Sequence, residues 1–166
     1  MGARPMRETR ATDTAWEGLT AEQLAEVSAV DEERLALERS RLPEETARLL
    51  TEPIYAVRSR ARLWEQLIVR MEHEWAPDGR YVVDEYINDL ESRDALDEIM
   101  ASRPVLAVGA LAELLAQLDG RFRRRTVPDG GAALRPYTRR LREDSSLGAP
   151  SLHERWLRRP INIPWL

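Results

Sequence analysis

Seven carboxylates crowd the segment YVVDEYINDLESRDALDEIM, residues 81–100. They are Asp84, Glu85, Asp89, Glu91, Asp94, Asp97 and Glu98, and Arg93 is the only basic residue between positions 81 and 102. Carboxylates at this density can coordinate magnesium, act as general acid and base, or form an acidic surface for a basic partner. The spacing of the surrounding residues indicates which of these three functions fits the sequence best.

A metal site needs ligand spacings that this sequence lacks. His73 and His153 do not occur in His-x-x-x-His or Glu-x-x-His arrangements, which would place two ligands on one helical face. Asp84, Glu91 and Asp94 could hold Mg²⁺ in the manner of helical enzymes that act on nucleotides, but the Glu-Glu-x-x-Glu motif of such hydrolases is missing. We therefore expect no metal and no cofactor. A magnesium-dependent helical nucleotide hydrolase is retained as an alternative.

Two residue types used in covalent catalysis, cysteine and lysine, and the usual nucleophile motifs are also missing from the sequence. There is no cysteine, and all 25 basic residues are arginine, so thiol nucleophiles, lysine Schiff bases and P-loop lysines are excluded. No Gly-x-Ser-x-Gly motif or glycine-rich phosphate loop is present, and no motif set identifies a family. The sequence therefore favours a protein that is not an enzyme.

The third possibility, an acidic surface, agrees better with the pattern. Apolar Val83, Tyr86, Ile87 and Leu90 would occupy one side of a helix and the acids the other, which could be no more than a solvated face. Soluble helices usually mix charges of both signs there, and a surface of one sign repels itself unless a basic surface complements it. The predicted partner-binding residues are Asp84, Glu85, Asn88, Asp89, Glu91, Asp94, Asp97 and Glu98, with Trp156 and Trp165 as aromatic anchors.

These residues predict a non-enzymatic protein-binding module with a basic protein partner, such as a toxin or an enzyme. One concrete form is an immunity or antitoxin-type inhibitor. Proteins that block nucleic-acid-cleaving or nucleotide-consuming toxins can offer carboxylates to a basic cleft, since such clefts bind phosphates.

The chain is electrically asymmetric. Residues 121–166 carry 11 arginines against 4 acids, a charge of +7, so the remainder must carry −11 to give the total of −4. The arginines could complement helix dipoles, bind phosphates through 121–125 and 139–142 as in a nucleic-acid-associated regulator, or fold back on the acidic helices. Without a helix-turn-helix or an RNP-like aromatic pattern, and with acids in excess overall, the third interpretation is favoured and a nucleic-acid partner is disfavoured.

Several helices are predicted to position these charges. The clearest has apolar residues spaced alternately three and four apart, namely Ile54, Val57, Ala61, Trp64, Ile68, Met71 and Trp75. Thr20 and Gln23 have capping-box spacing at the start of a helix that extends to about Leu42, and Pro43 begins a short one. A turn is predicted at 76–80 and a further helix from Pro104 to Phe122.

The acidic helix itself has an irregular pattern. Helical periodicity places Asp94 and Asp97 on its apolar face, where an unpaired carboxylate would cost several kcal/mol. A kink or a new helix start near Ser92 is therefore expected.

The predicted fold class is all-α, a single-domain antiparallel helical bundle of four to five helices with an irregular C-terminal segment. Residues 1–18 are interpreted as a flexible N-terminal arm, 19–126 as the helical bundle, and 127–166 as the Arg/Trp-rich C-terminal segment packed on the bundle. The longest apolar run, 104–112, is too short to cross a bilayer, and the N-terminus lacks the apolar region of a secretory signal. We expect a cytoplasmic protein with no membrane contact.

Overall fold

The computed structural model describes residues 9–75, 81–142 and 152–166. Its helices are α1 (Arg10–Glu17), α2 (Ala21–Ser40), α3 (Glu44–Leu49), α4 (Val57–Glu72), α5 (Val83–Ser102), α6 (Ala110–Arg124) and α7 (Arg139–Arg142). Two short strands, β1 (Thr126–Pro128) and β2 (Arg158–Pro160), and two 3₁₀ turns (Pro104–Ala107 and Glu154–Leu157) complete these ranges. The all-α prediction is confirmed. The predicted turn at 76–80 and the first eight residues of the predicted arm lie outside the described residues.

Helix α4 supplies the centre of the core. Its buried apolar residues follow the predicted spacing and are Val57, Ala61, Trp64, Leu67, Ile68 and Met71. The Trp64 ring lies 4.8 Å from the ring of Phe122 on α6, and α5 packs along α4 over most of its length. Ile54 precedes the helix and is exposed, so the predicted apolar stripe is shorter by one residue at this end. None of the helices in the described ranges is long and apolar enough to cross a membrane.

The start of α2 confirms the predicted capping box. The Thr20 hydroxyl accepts a hydrogen bond from the Gln23 backbone N–H, and the Gln23 side chain accepts one from the Thr20 N–H. The Gln23 amide also donates to the carbonyls of Val105 and Val108, at 3.1 and 2.8 Å. Gln23 therefore connects α2 to the turn that precedes α6.

The expected single helix from Pro104 to Phe122 is divided. Residues 104–107 form a 3₁₀ turn, Val108 is extended, and Gly109 has φ +88° before α6 begins. A side chain at Gly109 would be strained at this φ, and its Cβ would lie 3.0 Å from the Gln23 amide nitrogen. The glycine thus permits both the change of direction and the close approach of α2.

Helix α1 occupies residues that the sequence analysis assigned to a flexible arm. The buried Glu65 of α4, only 2% exposed, accepts hydrogen bonds from the Ala11 N–H (2.8 Å), the Thr12 N–H (2.8 Å) and the Thr12 hydroxyl (2.6 Å). Thr9, at the N-cap position, makes no side-chain cap. A carboxylate from another helix therefore satisfies the first N–H groups of α1 and holds it on the bundle.

The C-terminal segment packs on the bundle through its described residues. Strand β2 pairs antiparallel with β1, and the Ile161 N–H donates to the Arg125 carbonyl. The Trp75 indole, just beyond α4 at φ +63°, donates to the Asn162 carbonyl at 2.7 Å. These contacts connect the end of the chain to α4 and α6.

Candidate binding site on helix α5

A partly buried ionic network occupies one side of α5. Both Asp119 oxygens accept hydrogen bonds from Arg93, at 2.9 and 2.7 Å, and Arg93 also donates to Asp97 at 2.7 Å. Arg155 of the C-terminal segment donates to Asp97 at 2.6 Å and to Asp94 at 2.9 Å. Both arginine side chains are only 5% exposed. The network joins α6, α5 and the C-terminal segment, and it holds two of the acids that were predicted to bind a partner.

The charges in this network shift its pKa values. Burial alone would raise the pKa of Asp97, but hydrogen bonding to Arg155 and the charges of Arg93 and Arg155 outweigh burial and lower it. Burial alone would lower the pKa of Arg93, but hydrogen bonding to Asp119 raises it. Both groups are therefore held in their ionised forms.

These contacts explain why α5 is continuous from Val83 to Ser102 and has no break near Ser92. The expected kink rested on the cost of unpaired carboxylates at Asp94 and Asp97. Because Arg93 and Arg155 pair with them, that cost does not arise and the helix does not need to change register. The prediction of a new helix start near Ser92 was wrong.

Trp156 belongs to the core and not to a free surface. Its side chain is fully buried, and its indole donates to Asp94 at 2.8 Å. The Arg140 guanidinium lies over its ring, 5.2 Å from the centroid, and 3.6 to 3.7 Å from Asp94 and Glu91. The assignment of Trp156 as a partner anchor is therefore corrected, because the tryptophan is already packed against its own chain.

Asp89 also has to be removed from the predicted partner surface. It is 5% exposed, and its carboxylate accepts a hydrogen bond from the Tyr81 hydroxyl. Burial raises the pKa of Asp89 to about 7, against the lowering effects of the Tyr81 hydrogen bond and the Arg70 charge. A carboxylate in this position is not available to a partner.

The outward acids of α5 are Asp84, Glu85, Glu91 and Glu98, which we call the acidic face. Among the residues that the structure describes, Glu91 has only the distant Arg140, and the other three acids make no ion pair. Asp84, Asn88, Glu91 and Glu98 follow helical spacings of 4, 3 and 7, so they share one side over about 21 Å. Asn88 is half-buried there, and Trp165 is half-buried against Tyr86, 5.1 Å between ring centroids.

A groove with a volume of about 340 Å³ runs beside the acidic face. Helix α5 lines one side of it, and α2, α4, the segment just before α4 and α7 contribute the remainder. Its charged and aromatic lining residues are Arg34, Tyr55, Arg60, Glu91, Asp94, Glu98 and Arg140. The guanidinium groups of Arg34 and Arg60 lie over the Tyr55 ring, 5.3 and 5.0 Å from its centroid. We call this feature the charged groove.

The basic side of the charged groove could not be recognised from the sequence. Arg34 and Arg60 lie in separate helices, and neither belongs to a recognisable motif. The pairing of Arg93 with Asp97 did leave a signal, because these residues are four apart on one helix. The fold-back interpretation of the tail did propose that arginines meet the acidic helix, as Arg155 and Arg140 do.

The fold is that of an all-α bundle with one acidic helix face. Comparison with protein-family models, with curated proteins and with solved structures found no match to this chain. In the part of the chain that the structure describes, no three His, Cys, Asp or Glu side chains form a group that could hold a metal ion. The function must therefore be inferred from the charged surfaces themselves.

Proposed function

We propose that this chain is a non-enzymatic protein-binding module that engages a basic protein through the acidic face of α5. The observation that carries the proposal is the separation of charge on this helix. Its only base, Arg93, is buried against Asp119 and Asp97, while Asp84, Glu85 and Glu98 lie exposed without an ion-pair partner among the described residues. Such a face repels itself, and a basic partner would relieve that repulsion and be steered toward it.

The specific form that we propose is a cytoplasmic inhibitor of the immunity or antitoxin type, whose partner is a toxin or enzyme with a basic cleft. Two features support this form. The acidic face extends over about 21 Å along one continuous helix, a length suited to a cleft that binds a phosphate chain. Helix α5 is also held firmly, because Tyr86, Leu90 and Leu96 are fully buried, so little ordering cost is expected on binding.

The alternative of a nucleic-acid-associated regulator is less well supported by the described contacts. Arg121 pairs with Glu72, and Arg123 pairs with Glu154. Arg140 lies 3.6 to 3.7 Å from Asp94 and Glu91. Several of the arginines that would bind phosphates are therefore already engaged within the chain.

The hydrolase alternative also loses support at one of its proposed ligands. Asp94 accepts hydrogen bonds from Arg155 and from the Trp156 indole, so both of its oxygens already have partners. A magnesium site that used Asp94 together with Asp84 and Glu91 would have to displace these donors.

The test compares two variants with the same change in charge. In the first, Asp84, Glu91 and Glu98 are all replaced by arginine. In the control, the exposed acids Glu32, Glu45 and Glu113, which lie on other helices, are replaced in the same way. Each tagged protein is used to capture partners from a lysate of the source organism, and the captured protein is then purified for calorimetric titration.

The acidic-face variant is expected to bind the purified partner about a hundredfold more weakly than the wild type, because three close charge pairs become repulsive. The control variant should retain wild-type affinity, and circular dichroism should show helical folding in both. Equal affinity of all three proteins, or equal loss in the two variants, would exclude the acidic face as the binding surface.

A further inference from the structure

Arg60 is the least satisfied cation in the charged groove. Its side chain is half-buried, and it makes no ion pair or side-chain hydrogen bond with any residue that the structure describes. Burial and the neighbouring Arg34 both lower its pKa. A half-buried guanidinium that lacks a hydrogen-bond acceptor has lost part of its hydration, and the Tyr55 ring beneath it compensates only in part, so an incoming anion would find it available.

The surroundings of Arg60 show where such an anion would lie. Arg34 is already bound to Glu38, at 2.8 Å, so it adds little net charge of its own. The Tyr55 ring lies under both guanidinium groups, and its hydroxyl also has no hydrogen-bond partner among the described residues. Arg60 and the Tyr55 hydroxyl therefore offer donors that can approach one carboxylate.

The same groove also contains acidic side chains. Its lining contains three cations, Arg34, Arg60 and Arg140, and three anions, Glu91, Asp94 and Glu98, so their charges cancel. A ligand with negative charge alone would be repelled by Glu91 and Glu98, and one with positive charge alone by Arg60. A pair of opposite charges satisfies both sides.

We propose that the charged groove binds an acidic and a basic side chain presented together by the protein partner. The partner's carboxylate binds Arg60 and the Tyr55 hydroxyl, and its guanidinium or ammonium group binds Glu98, which makes no ion pair within the described residues. This inference rests on the proposed function, and it adds that the partner's basic surface includes an acidic residue at the groove. The volume of about 340 Å³ lies within the range of ligand pockets, roughly 300 to 1,000 Å³, at its lower end.

The first test uses three short probes, acetyl-Glu-Arg-amide, acetyl-Glu-Gln-amide and acetyl-Gln-Arg-amide. Each is titrated into the full chain while the Nε–Hε resonance of Arg60 is followed by NMR. The doubly charged probe should shift this resonance in a saturable manner, and the singly charged probes should bind about tenfold more weakly. Equal affinity for the three probes, or no shift with the first, would overturn the proposal.

Variants of Arg60 then test whether the doubly charged probe binds at this residue. Arg60→Gln is expected to weaken binding of the doubly charged probe by about tenfold, whereas Arg41→Gln, at an exposed arginine outside the groove, should leave it unchanged. Arg60→Lys should give an intermediate loss, because lysine keeps the charge but not the two-pronged geometry. An Arg60→Gln variant that folds and binds the probe as tightly as the wild type would refute the proposed role of Arg60.

The partner assay separates this inference from the function on which it rests. If reversal of the acidic face abolishes partner binding but Arg60→Gln does not alter it, the function stands and the inference fails. If neither change affects partner binding, the proposed function itself fails. A loss of about tenfold in Arg60→Gln, in addition to the loss on acidic-face reversal, supports both.

Discussion

Replacing Asp89 with asparagine is expected to stabilise the protein at neutral and alkaline pH. The aspartate lies on the side of α5 that faces the core, where its carboxylate accepts a hydrogen bond from the Tyr81 hydroxyl. Asparagine offers a carbonyl oxygen to the same donor and carries no charge. The substitution therefore preserves the hydrogen bond and removes the cost of burying an ionised group.

The size of this gain in stability follows from the pKa of Asp89, which burial raises from 3.8 to about 7. Folding then favours the protonated carboxyl, so the stability of the wild type falls as pH rises from about 4 to about 7. Each pKa unit corresponds to about 1.4 kcal/mol, so the full penalty above this range is about 4 kcal/mol. We expect the variant to exceed the wild type in free energy of unfolding by about 4 kcal/mol at about pH 8, and by about 1 kcal/mol at about pH 4.5.

The measurement is equilibrium denaturation by urea at these two pH values. Asp84→Asn is the matched control, because Asp84 is an exposed aspartate on the same helix and should not show this gain. A gain of the same size at both pH values would mean that ionisation of Asp89 is not the cause. A loss of stability at the higher pH would show that the ionised carboxylate stabilises the fold, which contradicts the reasoning.

Two further predictions concern the anchors of the terminal elements. Arg155→Gln removes the cation shared by Asp94 and Asp97 and should lower the free energy of unfolding by about 2 kcal/mol, the lower end for a buried pair because both carboxylates still contact water. The loss should shrink as pH falls below the lowered pKa of Asp97, where that carboxyl is protonated, and urea titrations at two pH values would show whether it does. Glu65→Ala leaves the N–H groups of α1 unsatisfied and should cost about 2 kcal/mol. Hydrogen exchange should then be faster in α1 than in α6; unchanged protection of α1 would contradict the anchoring role of Glu65.

The features that sequence reasoning predicted are those with a local cause. The apolar stripe of α4 and the Thr20–Gln23 capping box depend on residues close in the chain, so periodicity and motif spacing reveal them. Helix α1 was missed because its anchor, Glu65, lies 53 residues from Thr12. The division before α6 was missed because the positive φ of Gly109 is not evident from a lone glycine in an apolar run.

The candidate site also contains residues whose positions could be predicted from the sequence and residues whose positions could not. The outward positions of Asp84, Glu91 and Glu98 follow from helical geometry and could be predicted. The burial of Asp89 could not be predicted, because it depends on Tyr81, which lies just before the helix and donates a hydrogen bond to Asp89. Arg60 could not be assigned to the charged groove either, since only the packing of α4 beside α5 brings it near Glu98.

The position of Arg155 in the chain has a consequence for synthesis. The residues that it neutralises, Asp97 and Asp94, precede it by 58 and 61 positions, so a ribosome completes α5 well before it adds this arginine. Until then Asp97 can pair only with Arg93 of its own helix, and the contacts of Asp94 and Asp97 with Arg155 can form only once that residue has been added. The carboxyl-terminal residues therefore complete the charge balance of α5 only after the whole of that helix has been synthesised.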